Sequence, residues 1–187
     1  MTTANIERAF ASTRGVLANV KPDQLSDPTP CQSWQVRELI NHIVGVSFWF
    51  AGAVNAGVAP QMDEIDYTAG DAVATYDDGI QQAVAAFGAP GAIEKMVELP
   101  FGTLPCAAYL GIATTDAFTH GWDLARATGQ STDLDPELAA ELLEGARMFI
   151  QPAFRGEDGK MPFGVEQPAP ANGTNADALA AFLGRKA

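Results

Sequence analysis

Histidine and cysteine are scarce in this sequence: His42, His120, Cys31 and Cys106 are the whole supply in 187 residues. Two widely separated cysteines exclude a disulfide-stapled scaffold, and both read as thiols of a reducing compartment. Basic residues are also few. Eleven Lys and Arg against 23 Asp and Glu leave a formal charge of -12, which repels nucleic-acid phosphates and anionic lipid, so neither nucleic acid nor a membrane is expected as a partner. The N-terminus lacks the basic, apolar and small-residue succession of a secretory leader. The longest mostly apolar stretch, 43–54, falls short of the about 20 residues of a membrane span. A cytoplasmic protein is therefore the expectation. Also missing are a Gly-rich phosphate loop, a dinucleotide-binding fingerprint and a Ser-centred nucleophile elbow, which removes the commonest nucleotide-dependent and serine-hydrolase readings.

What is present suits a folded chain. The 47% hydrophobic and 18% charged content is globular, and the length suits a single domain over residues 1–187. Apolar positions Ile6, Phe10, Val16 and Leu17 mark a first amphipathic helix over 4–19. After the breaker SDPTPCQS, a strongly apolar second helix is expected over 34–54 with Ser33 as its N-cap. Val73, Tyr76, Ile80, Val84 and Phe87 place a third over 68–87, stopped by Gly88 and Pro90. The segment IEKMVELPFGTLPC reads as one short hairpin or ordered loop. A fourth helix follows over 105–128, stopped by Gly129, and a fifth from Asp135-Pro136-Glu137 to 150. The Pro/Gly-rich stretch 151–173 reads as a surface connection that packs on the body or frames a site. The ending TNADALAAFLGRKA closes with a short helix. The fold class is all-α, a four-helix bundle with short extra helices and one small hairpin.

The chemistry-bearing residues fall on two of these helices. Asp116 and His120 are four apart, so they share a face of the fourth helix, on a stripe with Tyr109, Ala113, Asp123 and Ala127. His42 lies on a stripe with Leu39, Val46 and Trp49 that faces the core. Two imidazoles and a carboxylate can converge in a bundle as three ligands of zinc, with nickel or iron as alternatives, and leave a coordination position open as catalytic sites do. The same spacing is more commonly a surface ion pair, and a lone histidine on an apolar stripe more commonly a hydrogen-bonded core residue.

Residues nearby carry two readings each. Asp123 either orients the His120 imidazole or solvates the helix end. Cys31 precedes His42 by 11 residues, roughly 16 Å along a helix at about 1.5 Å per residue, and is not expected as a fourth ligand. Cys106 sits where a helix dipole favours thiolate, but a packed core residue is the expectation. Trp34, Trp49 and Trp122 read as core or pocket wall, and Arg37 and Arg126 as surface ion-pair partners.

Four strings carry a resemblance. TPCQSWQVRELINHIVG and DAFTHGWDLARATG resemble the two motifs of actinobacterial DinB-like metal-binding proteins grouped with mycothiol-dependent maleylpyruvate isomerase. PFGTLPC and ADALAAFLGR are similar to the corresponding segments of the family's shorter members. The resemblance implies a DinB-like four-helix bundle in which His42, Asp116 and His120 bind a divalent metal, commonly zinc. The isomerase has a glutamate where this chain has the shorter Asp116, and its additional C-terminal domain is not expected here. By the same resemblance the leading expectation is a metal-dependent thiol S-transferase or isomerase that uses mycothiol as cosubstrate on a small-molecule substrate. The alternatives are a metal-dependent small-molecule hydrolase, with Asp123 its one evident base, and a non-catalytic metal-binding stress-response protein. A homodimer is compatible with the apolar second helix.

Overall fold

A computed structural model describes residues 1–31, 33–157, 161 and 163–186. Its helices are α1 (Thr3–Leu17), α2 (Val36–Ala56), α3 (Ala72–Gly88), α4 (Cys106–Ala127), α5 (Pro136–Phe149) and α6 (Asn175–Phe182). One antiparallel hairpin, β1 (Met96–Leu99) with β2 (Gly102–Pro105), pairs Val97 with Leu104. This is the all-α bundle with a small hairpin that the sequence leads one to expect.

Apolar faces explain the arrangement. In the four-helix body, α1 packs on α4 and α3, and α2 packs on α3 and α4. Ile6, Phe10, Val16 and Leu17 are buried as their spacing predicts. Phe10 meets Tyr76 edge to face at 5.9 Å, and burying each such side chain is worth about 1.5–3 kcal/mol. The α1–α4 contact is tight because Gly121 faces Thr13 with no room for a Cβ. At that crossing Thr13 Oγ1 donates to the Ala117 carbonyl at 2.7 Å. Helices α5 and α6 pair with one another and pack against this body.

The expected boundaries need two corrections. Helix α2 begins at Val36 rather than 34, and its N-cap is Gln35 rather than Ser33. The preceding loop folds back, so Val36 and Arg37 donate to the carbonyls of Asp27 and Leu25, both at 3.0 Å. Thr29 Oγ1 donates to the Trp34 carbonyl at 2.9 Å, and the Gln35 N–H reaches Glu38 at 2.9 Å. With these groups satisfied from the loop, no earlier turn is needed. Helix α3 begins at Ala72, because Asp71 accepts from the Ala74 N–H at 3.0 Å and caps it there. The residues just before, Tyr67–Ala69, form a separate 3-10 turn.

The apolar stretch is also longer than 43–54. The whole of α2 is long and apolar enough to cross a membrane by length and composition, and 56% of that window is buried inside the bundle. The connection 151–173 packs on the body as expected, apart from 158–160 and 162, which lie outside the described residues. Arg155 donates to the carbonyls of Gly164 and Phe182 at 3.1 and 2.7 Å. The Gln167 N–H reaches the Ala181 carbonyl at 2.9 Å.

Candidate metal centre

Helices α2 and α4 bring His42, Asp116 and His120 together, with one donor atom of each within 4.8 Å of the others. Asp116 faces Nε2 of both rings. Its Oδ2 is 3.7 Å from His42 Nε2 and its Oδ1 3.5 Å from His120 Nε2. The imidazoles meet edge to face, 4.6 Å between centroids. Donors about 2.0–2.1 Å from a tetrahedral ion stand about 3.3 Å apart, so these separations suit a small divalent cation. They are too long for good hydrogen bonds. His42 Nε2 and Asp116 Oδ2 are indeed buried with no hydrogen-bond partner although they face each other. Buried polar atoms almost always have partners, and the chemistry of this donor set, two imidazoles and a carboxylate, fits zinc, nickel or iron. The hydroxyls of Tyr109 and Thr119 are likewise buried without partners.

The His120 ring is fixed from its other edge. Nδ1 lies 3.0 Å from Asp123 Oδ2, so of the two readings of Asp123 the orienting one holds. Asp123 is fully buried and pairs with Arg185, whose Nε and Nη2 donate to Oδ1 and Oδ2 at 3.2 and 3.0 Å. Burial alone pushes the Asp123 carboxyl up, but the Arg185 charge and the His120 hydrogen bond outweigh it and hold the group at about 2. Burial likewise opposes ionisation of Asp116, yet the neighbouring His120 and then His42 hold it well below the usual carboxylate range. His120 mirrors this: burial disfavours its imidazolium, but Asp116 and Asp123 raise its pKa well above the ordinary 6.5.

The cysteine reading changes. Cys31 does not sit a helix length away, because it precedes α2 in the folded-back loop. Its Sγ donates to Asp123 Oδ2 at 3.4 Å and accepts from Arg185 Nη2 at 3.7 Å. Cys31, His120 and Asp123 form a second group of clustered donors, on the Nδ1 side of the ring, away from Asp116. Cys31 is thus part of a charged cluster rather than a packing residue. Cys106 is core, and burial pushes its thiol pKa up against the charge of Lys95.

The remaining candidates are simpler. Trp34 covers both imidazoles, 4.7 Å from the His42 ring and 5.6 Å from that of His120. Trp122 is core and donates from Nε1 to Asp177 at 2.8 Å, whereas Trp49 is partly buried and donates to the Pro60 carbonyl. Arg37 pairs with Asp66 at 3.0 Å on the surface, and Arg126 is exposed at the end of α4. Beside the centre opens a cavity of about 890 Å³. Cys31, Trp34 and His120 line one wall, and Val165, Gln167 and Lys186 from the connection and tail line another. Spacing on two helices did not reveal Arg185 and the position of Cys31. Their only signal was membership in the first and fourth of the strings that carry the family resemblance.

Comparison with known proteins gives two findings. The profile of the family described as mycothiol maleylpyruvate isomerase N-terminal domain matches residues 6–125. Two proteins of Mycobacterium tuberculosis, from strains CDC 1551 / Oshkosh and ATCC 25618 / H37Rv, are each 44% identical to the chain over 183 residues, 96% of this chain and 94% of their own length. Both are described as uncharacterized. No solved structure matches the chain.

Proposed function

Because the chain belongs to the mycothiol maleylpyruvate isomerase N-terminal domain family, we propose that it is a metal-dependent enzyme of the thiol S-transferase or isomerase type. In this reading His42, Asp116 and His120 hold a divalent cation, zinc first, and mycothiol is the thiol cosubstrate for a small-molecule electrophile. The observation that carries the reading is the pair of buried, partnerless donors, His42 Nε2 and Asp116 Oδ2, that face one another beside His120 Nε2.

A bound divalent cation supplies a Lewis acid that keeps a thiol as thiolate near neutral pH. The chain's own residues prepare the site for it. With Nδ1–H of His120 donating to Asp123, Nε2 is the ligand atom offered beside Asp116. Trp34 lies over both rings and shields them from water on that face. Asp116 and His42 keep side-chain exposures of 28% and 21%, although their facing atoms, Oδ2 and Nε2, are themselves buried. The cavity bordered by His120 and Trp34 offers room for the rest of a cosubstrate. Asp123 has no free oxygen for general-base work, since Arg185, His120 and Cys31 occupy it. That weighs against the hydrolase alternative. The reading keeps the protein in the cytoplasm, where both cysteines stay thiols.

The test is metal analysis of tag-free protein, followed by incubation of zinc-loaded protein with mycothiol and a panel of electrophiles, unsaturated acids among them. Near-stoichiometric zinc and thiol-dependent product formation are expected. Zinc uptake with turnover of esters or amides in the absence of thiol would replace this reading with the hydrolase. Absence of metal uptake would remove both.

A further inference from the structure

Arg185 lies beyond the stretch matched to the family domain, yet its guanidinium reaches Asp123 on the Nδ1 side of the His120 ring. Its path there is fixed by the backbone. After α6, the Gly184 N–H bonds to the Ala181 carbonyl at 3.0 Å and the Arg185 N–H to that of Ala180 at 2.9 Å. Gly184 has φ 100°, so the helix ends in a turn that only glycine makes without strain. The same glycine touches the Gly164 backbone with no space for a side chain. Helix α6 is in turn tied to α4 through Trp122 and Asp177.

The side chain that this turn delivers is 16% exposed and meets a fully buried carboxylate. Arg185 grips both oxygens of Asp123, and one of them, Oδ2, also faces His120 Nδ1. A fork on both oxygens fixes the plane of a carboxylate in a way that one hydrogen bond does not. We propose that Arg185 is a positioning residue of the metal centre: by fixing Asp123 it fixes the His120 ring, and with it the direction in which Nε2 is offered beside His42 and Asp116. The C-terminal tail is then part of the centre, and a fragment ending where the family match ends lacks an essential brace. An arginine that received a substrate anion would keep its fork free, whereas this one is engaged. The inference rests on the metal reading above.

The test compares zinc affinities of the full-length wild type, Arg185→Ala and Arg185→Lys by competition with a chromophoric chelator. Arg185→Ala, with wild-type helical content, is expected to bind zinc about tenfold more weakly, the low end of the cost of losing the partner of a ligating histidine, because Asp123 is kept and only its orientation is released. Arg185→Lys should fall between, because an ammonium offers a point charge rather than a fork. Methylguanidinium, which can enter beside the cavity, should restore the affinity of Arg185→Ala, and methylammonium should not. A folded Arg185→Ala within about threefold of wild type overturns the proposal, as does a loss that methylguanidinium does not recover. If Arg185→Ala does not fold, Arg185→Lys decides: weaker zinc binding supports the proposal and wild-type affinity overturns it. A wild type that takes up no zinc removes the metal reading and this inference together; a zinc-binding wild type with an indifferent Arg185 removes the inference alone.

Discussion

Asp116→Asn is the sharpest perturbation of the centre, because it keeps the shape of the side chain and removes only its charge. Among the described residues Asp116 is the carboxylate that faces Nε2 of both imidazoles, and its Oδ2 has no hydrogen bond to lose. Structural zinc sites release about 10–16 kcal/mol over four ligands, so one ligand accounts for about 3 kcal/mol, or roughly a hundredfold in affinity. At free zinc about a hundredfold above Kd, binding stabilises the wild type by about 2.7 kcal/mol. In a chain of this length each kcal/mol moves Tm by about 2–4 °C, which gives a zinc-induced rise of about 5–11 °C. At the same zinc concentration Asp116→Asn sits near its own Kd and gains only about 0.4 kcal/mol, a rise of about 1–2 °C. Differential scanning fluorimetry with and without buffered zinc reads both. A folded Asp116→Asn protein whose Tm rises as far as that of the wild type refutes the assignment of Asp116 as a ligand.

Two further predictions concern pH and packing. In the metal-free protein, Asp116 and Asp123 are held below the ordinary carboxylate range, so their contribution is present above pH 3.8 and is lost as pH falls through the folded values, about 2 for Asp123. His120 is raised, so its contribution is full below 6.5 and is lost as pH rises through its higher folded value. Chelator-treated protein should therefore lose Tm on the alkaline side, while zinc affinity keeps climbing above pH 6.5 as the metal displaces the His120 proton. A flat Tm and a zinc affinity already level from about pH 6.5 to 9 contradict this. Gly121→Ala places a Cβ against Thr13 at the α1–α4 crossing, and overpacking there should cost about 1–3 kcal/mol in urea unfolding despite alanine's better helix propensity. An unchanged midpoint shows that the two helices separate more easily than the Thr13–Ala117 hydrogen bond suggests.

Much of this was legible from periodicity. The apolar spacing on α1 and α3 picked out residues that are buried or half-buried in the core, and the i,i+4 step from Asp116 to His120 set which side chains share a face, because both are local properties of a helix. Asp123, one turn further on, could be seen as a partner for His120, although its burial could not. Cys31 and Arg185 were hidden for a physical reason. Cys31 was measured as if on a helix, whereas the loop before α2 folds back, with Asp27 and Leu25 accepting from the first N–H groups of α2. Arg185 is brought in by a glycine-dependent turn and by the seating of α6 on α4, long-range events that no helical stripe records.

The buried charges show why the net charge of -12 does not describe the centre. In the metal-free protein the Asp116 and Asp123 carboxylates face the Arg185 guanidinium and a His120 whose pKa is raised, so the cluster is close to neutral. Asp116 and Asp123 raise the His120 pKa against the cost of burial. Under the proposed function, a divalent ion displaces the His120 proton and brings two positive charges in exchange for one. The cluster then carries a single positive charge, behind Trp34 and at the edge of the cavity. A thiolate restores neutrality, as a hydroxide does, so the charge balance fits either anionic nucleophile and the test with mycothiol and electrophiles decides between them.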